Sequence, residues 1–268
     1  LIDDEEIQTK EVESPYIRYI VINVQNEPFT DKNVRKAIAS SLDRSEIDET
    51  VYKGDVSPLF SMIPDGMWSY EPVFKEKYGE GASIEEAQAF LEEAGYSEDN
   101  PLEMNLHYTT THYGPLESDL AQIVKEQLEA TDMISVTLQS AEWTRYTEDM
   151  VDGAMGCFLL GWYPDYFDPD DYISPFLTTS GAKSLGSFYN DSHMNEMIKE
   201  EQRLVEQSER TEVFKDIQDQ LAEDCPYIPI YQGTSFAAFG PDVDEGSVIL
   251  GPVQIFRYYM IKKEGWER

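Results

Sequence analysis

Basic residues are scarce in this 268-residue chain: 20 lysines and arginines stand against 53 aspartates and glutamates, a formal charge of −33. Such an excess repels phosphate backbones and anionic head groups wherever salt does not screen it, which excludes nucleic acid as a partner. The acidic residues run from Asp3 and Asp4 to Glu264 and Glu267 without forming one tract. Two readings stay open: a solvated acidic surface, suited to salt-rich surroundings, and an attraction for cationic solutes. Cysteine is nearly absent, and Cys157 and Cys225 exclude a disulfide framework; Cys157 lies in an apolar run where a buried, inert thiol is expected. The three histidines, His107, His112 and His193, lack the neighbouring cysteines or carboxylates of a zinc site. There is no apolar run of the roughly 18 residues that a membrane span requires. Also missing are the Gly-Lys-Ser/Thr step of a P-loop, the Gly-x-Ser-x-Gly elbow and the His-Glu-x-x-His helix. Gly79-Glu80-Gly81 follows no strand and has no third glycine, so it is no dinucleotide fingerprint. No cofactor is implied. The acidic first six residues carry no signal peptide, which on its own reads as cytoplasmic.

What is present is enough to fold: 41% hydrophobic residues with 12% aromatics support a substantial core. Residues 1–15 read as a loose acidic start. The β-branched run 16–24 reads as a strand ended by Asn26-Glu27-Pro28-Phe29. Asp31 caps a helix with Val34, Ile38 and Leu42 on one face, and a second short helix restarts at Asp43 or Ser45 and runs to Val51. Residues 54–81, rich in proline and aromatics, read as a long packed surface loop. Ser83-Ile84-Glu85-Glu86 has the pattern of a capping box opening a helix that stops at Gly95. Strand and helix then alternate: strand 102–108, helix 115–130, strand 134–138, a helix from Glu142, strand 157–161. That order defines an α/β fold. Two helices follow, from Asp191 and from Ser208, the second ending at Cys225-Pro226. Segments 227–231, 234–239 and 254–261 read as short strands, so a boundary is expected near residue 226.

The densest unusual segment runs from Gly161 through Trp162, Tyr163, Pro164, Asp165, Tyr166, Phe167, Asp168, Pro169, Asp170 and Asp171 to Tyr172, directly after an apolar strand. Loops beyond the C-terminal ends of strands are where α/β sheets bind ligands. Aromatics give broad apolar walls, and a carboxylate among them pairs with a ligand ammonium, a combination suited to peptides or amines. Two other uses compete: Asp168, Asp170 and Asp171 as helix caps or solvated charges, and the rings as core. A calcium loop lacks its alternate-residue spacing and central glycine. A glycosidase-like carboxylate pair stays open.

At these residues the chain resembles the family 5 extracellular solute-binding proteins, typified by oligopeptide- and dipeptide-binding proteins of ABC importers. The resemblance rests on the strand ending at Asn23, then Pro28-Phe29-Thr30-Asp31, Val34-Arg35-Lys36-Ala37-Ile38 and Leu42-Asp43-Arg44. It continues through the helix of residues 87–96, Trp143, Gly161-Trp162 with Asp165-Tyr166 and Asp168-Pro169, Arg210, and Pro226-Tyr227-Ile228-Pro229-Ile230-Tyr231. It implies a periplasmic-binding-protein-like lobe, a mixed sheet flanked by helices, in which residues 16–226 form the far lobe and 227–268 return through a hinge to an incomplete near lobe. It implies that Asp165 anchors a ligand α-amino group and that Trp143 and Trp162 line side-chain pockets, with Tyr163, Tyr108 and Tyr231 as further ligand contacts. The basic residues that some oligopeptide binders carry would fall near Met150 and Leu159, which cannot meet a peptide carboxylate. The expected role is non-catalytic capture of peptides, or a related small solute, outside the membrane for delivery to an ABC permease, by a protein that is monomeric when full length. Because family members are about twice as long, the chain is expected to start inside a longer gene, its lipid anchor lying in the missing N-terminus. The alternatives are a carboxylate-dependent hydrolase of glycans or peptides, and a binder of a sugar or metal chelate with the same fold.

Overall fold

The computed structural model describes residues 7–251, 256–263 and 265. The first strand, β1 (Gln8–Ile22), leads through a turn at Pro28 into α1 (Lys32–Ser40) and α2 (Arg44–Ile47), the latter continued by a π-helical turn, Asp48–Tyr52. Both helix starts are set locally: Asp31 accepts from the Asn33 N–H and Asp43 from the Glu46 N–H, satisfying donors that the first turn leaves unpaired. A two-residue strand β2 (Ser57–Pro58) and α3 (Val73–Tyr78) interrupt the segment expected as one loop, which buries Leu59, Met62, Ile63 and Phe74. Then come α4 (Ile84–Glu93), β3 (Leu102–Thr109), α5 (Glu117–Glu129), β4 (Ile134–Ala141), α6 (Trp143–Val151) and β5 (Cys157–Trp162). The chain continues through a 3-10 turn, Pro169–Tyr172, to α7 (Ser174–Leu177), α8 (Thr179–Ser184), α9 (Ser192–Glu201), α10 (Gln207–Asp224) and β6 (Tyr227–Phe239).

The six strands form one mixed sheet in the order β2-β6-β1-β5-β3-β4. β5, β3 and β4 are mutually parallel, whereas β1 runs antiparallel to β5 and β6, and β2 antiparallel to β6. Strand β1 is the spine, with Ile17, Tyr19, Ile20, Val21 and Ile22 fully buried, because helices cover both faces of a central strand. Tyr19, Phe176 and Tyr227 meet edge to face on one side. Both cysteines are buried free thiols; burial raises Cys225 to about 12 and Cys157 higher still.

Four readings from sequence are corrected. The start is not loose as far as residue 15: β1 begins at Gln8, because residues 8–13 pair with residues 234–239, more than 200 positions away in the chain. Residues 227–239 are one strand, and its first seven residues are buried in the main sheet, so the boundary expected at 226 separates two elements of a single core. Ser83 makes no side-chain cap to α4. Of the strand expected at 254–261, residues 254–255 lie outside the described residues, and from Phe256 onward there is a 3-10 turn, Tyr258–Met260. Beyond the Ile17↔Trp162 pair, β1 keeps only β6 as a partner among the described residues. A two-stranded ribbon of residues 8–13 and 234–239 therefore extends past the edge of the sheet at which β5 ends.

Gly181, in α8, is held to glycine by close approach: a Cβ there would lie 2.3 Å from the Pro175 carbonyl oxygen. Because that obstacle is backbone, Gly181→Ala is expected to cost about 1–3 kcal/mol, read as a lower urea midpoint at unchanged slope.

Candidate functional site

The C-terminal ends of β3, β4 and β5 lie along one edge of the sheet, and each leads into a segment with an aromatic side chain. After β3 come His112 and Tyr113, after β4 comes Trp143 at the first position of α6, and β5 ends in Trp162 itself. The His112 and Trp143 rings stack at 3.7 Å and 4°. Tyr113 meets both edge to face. Its hydroxyl accepts from the Gly161 N–H at 3.0 Å, which ties the β3 loop to the end of β5. From β1, Tyr16 stacks on Tyr163 at 4.4 Å, and Tyr113 lies 6.5 Å from Tyr16. A continuous aromatic wall thus runs from Trp143 to Tyr163. Gly161 leaves room for it, since a Cβ there would come within 3 Å of both Tyr16 and Tyr113.

The acidic loop after β5 is shaped by its own carboxylates. Asp171, 1% exposed, accepts at Oδ2 from the Trp162 Nε1–H (3.2 Å) and from the Asp165 backbone N–H (2.9 Å). Burial raises Asp171 above the usual carboxylate range although both bonds favour its charged form. Asp168 caps the 3-10 turn by accepting from the Asp170 N–H, and it receives two hydrogen bonds from Arg210, at 2.9 and 2.6 Å. The capping expected of Asp168 is therefore present, with an ion pair added. Asp170 accepts from Tyr166, Ser174 and Gln202; burial works to raise it, but these bonds and one from Glu201 hold it below its ordinary value. Asp165 differs from the other three. Its side chain is exposed, and its carboxylate makes no hydrogen bond or ion pair with any described residue.

The loop is pinned from behind by α9 and α10. Arg210 bridges Asp168 to Glu201, which is fully buried. Glu201 Oε2 accepts from Arg210, while its Oε1 finds no hydrogen-bond donor among the described residues. Burial, then the bond to Asp170, pushes Glu201 from 4.5 to about 8. A carboxyl raised in the folded state supplies stability that is complete below its unfolded value and lost as pH rises through the folded one. Between about pH 5 and pH 8, Glu201→Gln is therefore expected to lose less stability than the wild type, as measured by urea midpoints; equal pH slopes would assign the proton elsewhere.

Of the residues singled out from sequence, the structure brings Trp162, Tyr163 and Asp165 together on one loop and connects Trp143 to them through His112 and Tyr113. Tyr231 is buried on β6 beside Arg18, its hydroxyl against that of Tyr52 at 3.0 Å, and so lies beneath the wall, not on its surface. Tyr108 is half-buried near the end of β3, outside that chain of ring contacts. Sequence reading missed Tyr16, Tyr113, Arg18 and Glu117. Only Arg18 carried a signal there, as the single charge in the apolar run 16–24. Among the described residues no group of His, Cys, Asp or Glu is arranged to hold a metal ion, and no helix is long and apolar enough to cross a membrane.

This layout, a mixed sheet flanked by helices with an aromatic and acidic wall along its parallel edge, has the position at which α/β sheets bind ligands. The sequence model for bacterial extracellular solute-binding proteins, family 5 (middle), matches residues 1–184, and the chain belongs to that family. It is 25% identical to heme-binding protein A of Haemophilus influenzae over 98% of this chain and 47% of that protein. It is 28% identical to the periplasmic oligopeptide-binding protein OppA of Salmonella typhimurium over 92% of this chain and 46% of that one. The crystal structure of a dipeptide-binding protein from Pseudoalteromonas sp. SM9913 in complex with Met-Leu superposes with a TM-score of 0.84 at 22% identity, covering 98% of this chain and 51% of that one. The fold is thus the one expected. The chain spans about half the length of the curated relatives it matches.

Proposed function

We propose that this chain is the solute-capturing lobe of the extracytoplasmic binding component of an ABC-type importer, and that its solute is a peptide or a related small molecule with a free ammonium group. The observation that carries this reading is Asp165. A carboxylate with no partner among the described residues, held at its backbone by Asp171 and flanked by an aromatic wall, is arranged to receive a cation from outside. Trp143, Trp162 and Tyr163 supply the apolar surface around it, and no bond-breaking step is assigned to any group. The ribbon of residues 8–13 and 234–239 leaves the sheet at the edge that carries the wall, which supports a hinge leading to a second lobe that closes over the solute. Closure would bury the exposed rings of Tyr163, Tyr166 and Phe167, and the closed monomer would then dock on the permease.

Native mass spectrometry of the gently purified full-length gene product tests this. Peptide masses co-purifying with the protein are expected. A single sugar or metal-chelate mass would keep the fold and replace the solute, and an empty protein that hydrolyses added peptides would reject capture.

A further inference from the structure

Asp171 is shut off from solvent, yet one of its oxygens serves both groups that the capture reading sets against the solute. Oδ2 accepts from the Trp162 indole at 3.2 Å and from the Asp165 backbone N–H at 2.9 Å. One donor belongs to the aromatic wall and the other to the anchoring residue three positions on. Neither can shift without lengthening its bond, so the shared acceptor fixes their spacing. A carboxylate suits this place because it accepts at both points and presents no donor of its own. Asp171 is itself seated on fixed structure. Its N–H donates to the Asp168 carbonyl at 3.1 Å within the 3-10 turn, and Asp168 is tied to α10 by Arg210. The next residue, Tyr172, is fully buried and donates its hydroxyl to the Pro15 carbonyl of β1 at 2.6 Å. On its other side the Trp162 ring meets the buried Phe176 edge to face at 5.1 Å. The far half of the wall is set without Asp171. There Tyr113 lies over the guanidinium of Arg18 at 3.7 Å, and Arg18, completely buried, is paired with Glu117.

We propose that Asp171 is the positioning residue of the candidate site: it does not meet the solute, but it sets the distance and angle between the Trp162 indole and the Asp165 that anchors the ammonium. This rests on the capture reading above. Loss of Asp171 then misplaces the anchor without removing it. The ammonium contact is directional and suffers first, whereas the apolar contact of the wall scales with buried area and suffers less. A bound solute therefore keeps most of what its apolar groups contribute and loses most of what its ammonium contributes.

Calorimetric titration of the full-length gene product with leucyl-leucine and with its N-acetyl form separates positioning from general support. The wild type is expected to bind the free peptide about tenfold or more tighter than the acetylated one, and in Asp171→Ala that ratio should fall at least about threefold. Asp171→Asn, which keeps a carbonyl oxygen where the acceptor stands, is expected to restore the ratio to within about twofold of the wild type. A role in stability alone would lower the unfolding midpoint and leave the ratio where it was, so an unchanged ratio in folded Asp171→Ala overturns the proposal. A ratio that falls equally in the alanine and asparagine variants also overturns it, because the effect then belongs to the negative charge of Asp171 and not to its place. If the wild type does not distinguish the two peptides, the anchoring role of Asp165 fails and this inference with it; if only the variants behave like the wild type, Asp165 stands and Asp171 alone is rejected. Should Asp171→Ala not fold, Asp171→Ser takes its place. Its shorter side chain reaches one donor at most, so the ratio is expected to fall at least about twofold, and an unchanged ratio overturns the proposal.

Discussion

Asp165→Asn in the full-length gene product is expected to weaken binding of peptides with a free α-amino group about 10- to 100-fold, the range of one charge-assisted hydrogen bond. The unfolding midpoint is expected to hold, since the Asp165 carboxylate supports no described residue and surface changes of this kind stay within about 0.5 kcal/mol. Acetylating the peptide's amino group should cost the wild type a similar factor and the variant almost nothing, because each change removes the same contact. If acetylation costs both proteins equally, the ammonium is held elsewhere.

Arg210→Met is expected to have the largest effect on stability, about 2–3 kcal/mol. Removing one member of a buried pair costs about 3–5 kcal/mol, and two features reduce that here. Arg210 retains some solvent contact, and Glu201 already leans towards its neutral form because of burial and its bond to Asp170. The variant also frees Asp168, so the loop of residues 163–168 should become the first site of proteolytic cutting. A variant cut at the same place and rate as the wild type would show that the loop is held by Asp171 and its partners alone.

How much of this was legible in the sequence follows from the range of the forces involved. Asp31 and Asp43 act on backbone donors two or three residues away, so those helix starts could be read directly. The apolar periodicity of Leu120, Ile123, Val124 and Leu128 likewise placed α5, which begins at Glu117, two residues after Pro115. Residues 8–13 had no such local signal, because Gln-Thr-Lys-Glu-Val-Glu becomes strand only by pairing with residues 234–239. Ser83 shows the converse: the capping-box pattern was present, α4 formed one residue later, and the side-chain bond was not made. At the site, Trp162 and Asp165 were legible because one segment concentrates both chemistries. Tyr16, Tyr113 and Glu117 were not, because each reaches the site from a different strand end or helix start and none is unusual where it stands in the chain. The resemblance placed the chain in its family and anticipated a mixed sheet, but the aromatic wall and the buried Arg18 emerged only once the strands were in register.

The central claim, capture without chemistry, is tested most directly by incubating the full-length gene product with a defined peptide mixture, recovering what it retains and weighing the peptides before and after. Retained peptides of unchanged mass, enriched in those with free amino groups and depleted in their acetylated forms, are the predicted result. Peptides returned shortened, or a retained set indifferent to acetylation, would contradict it.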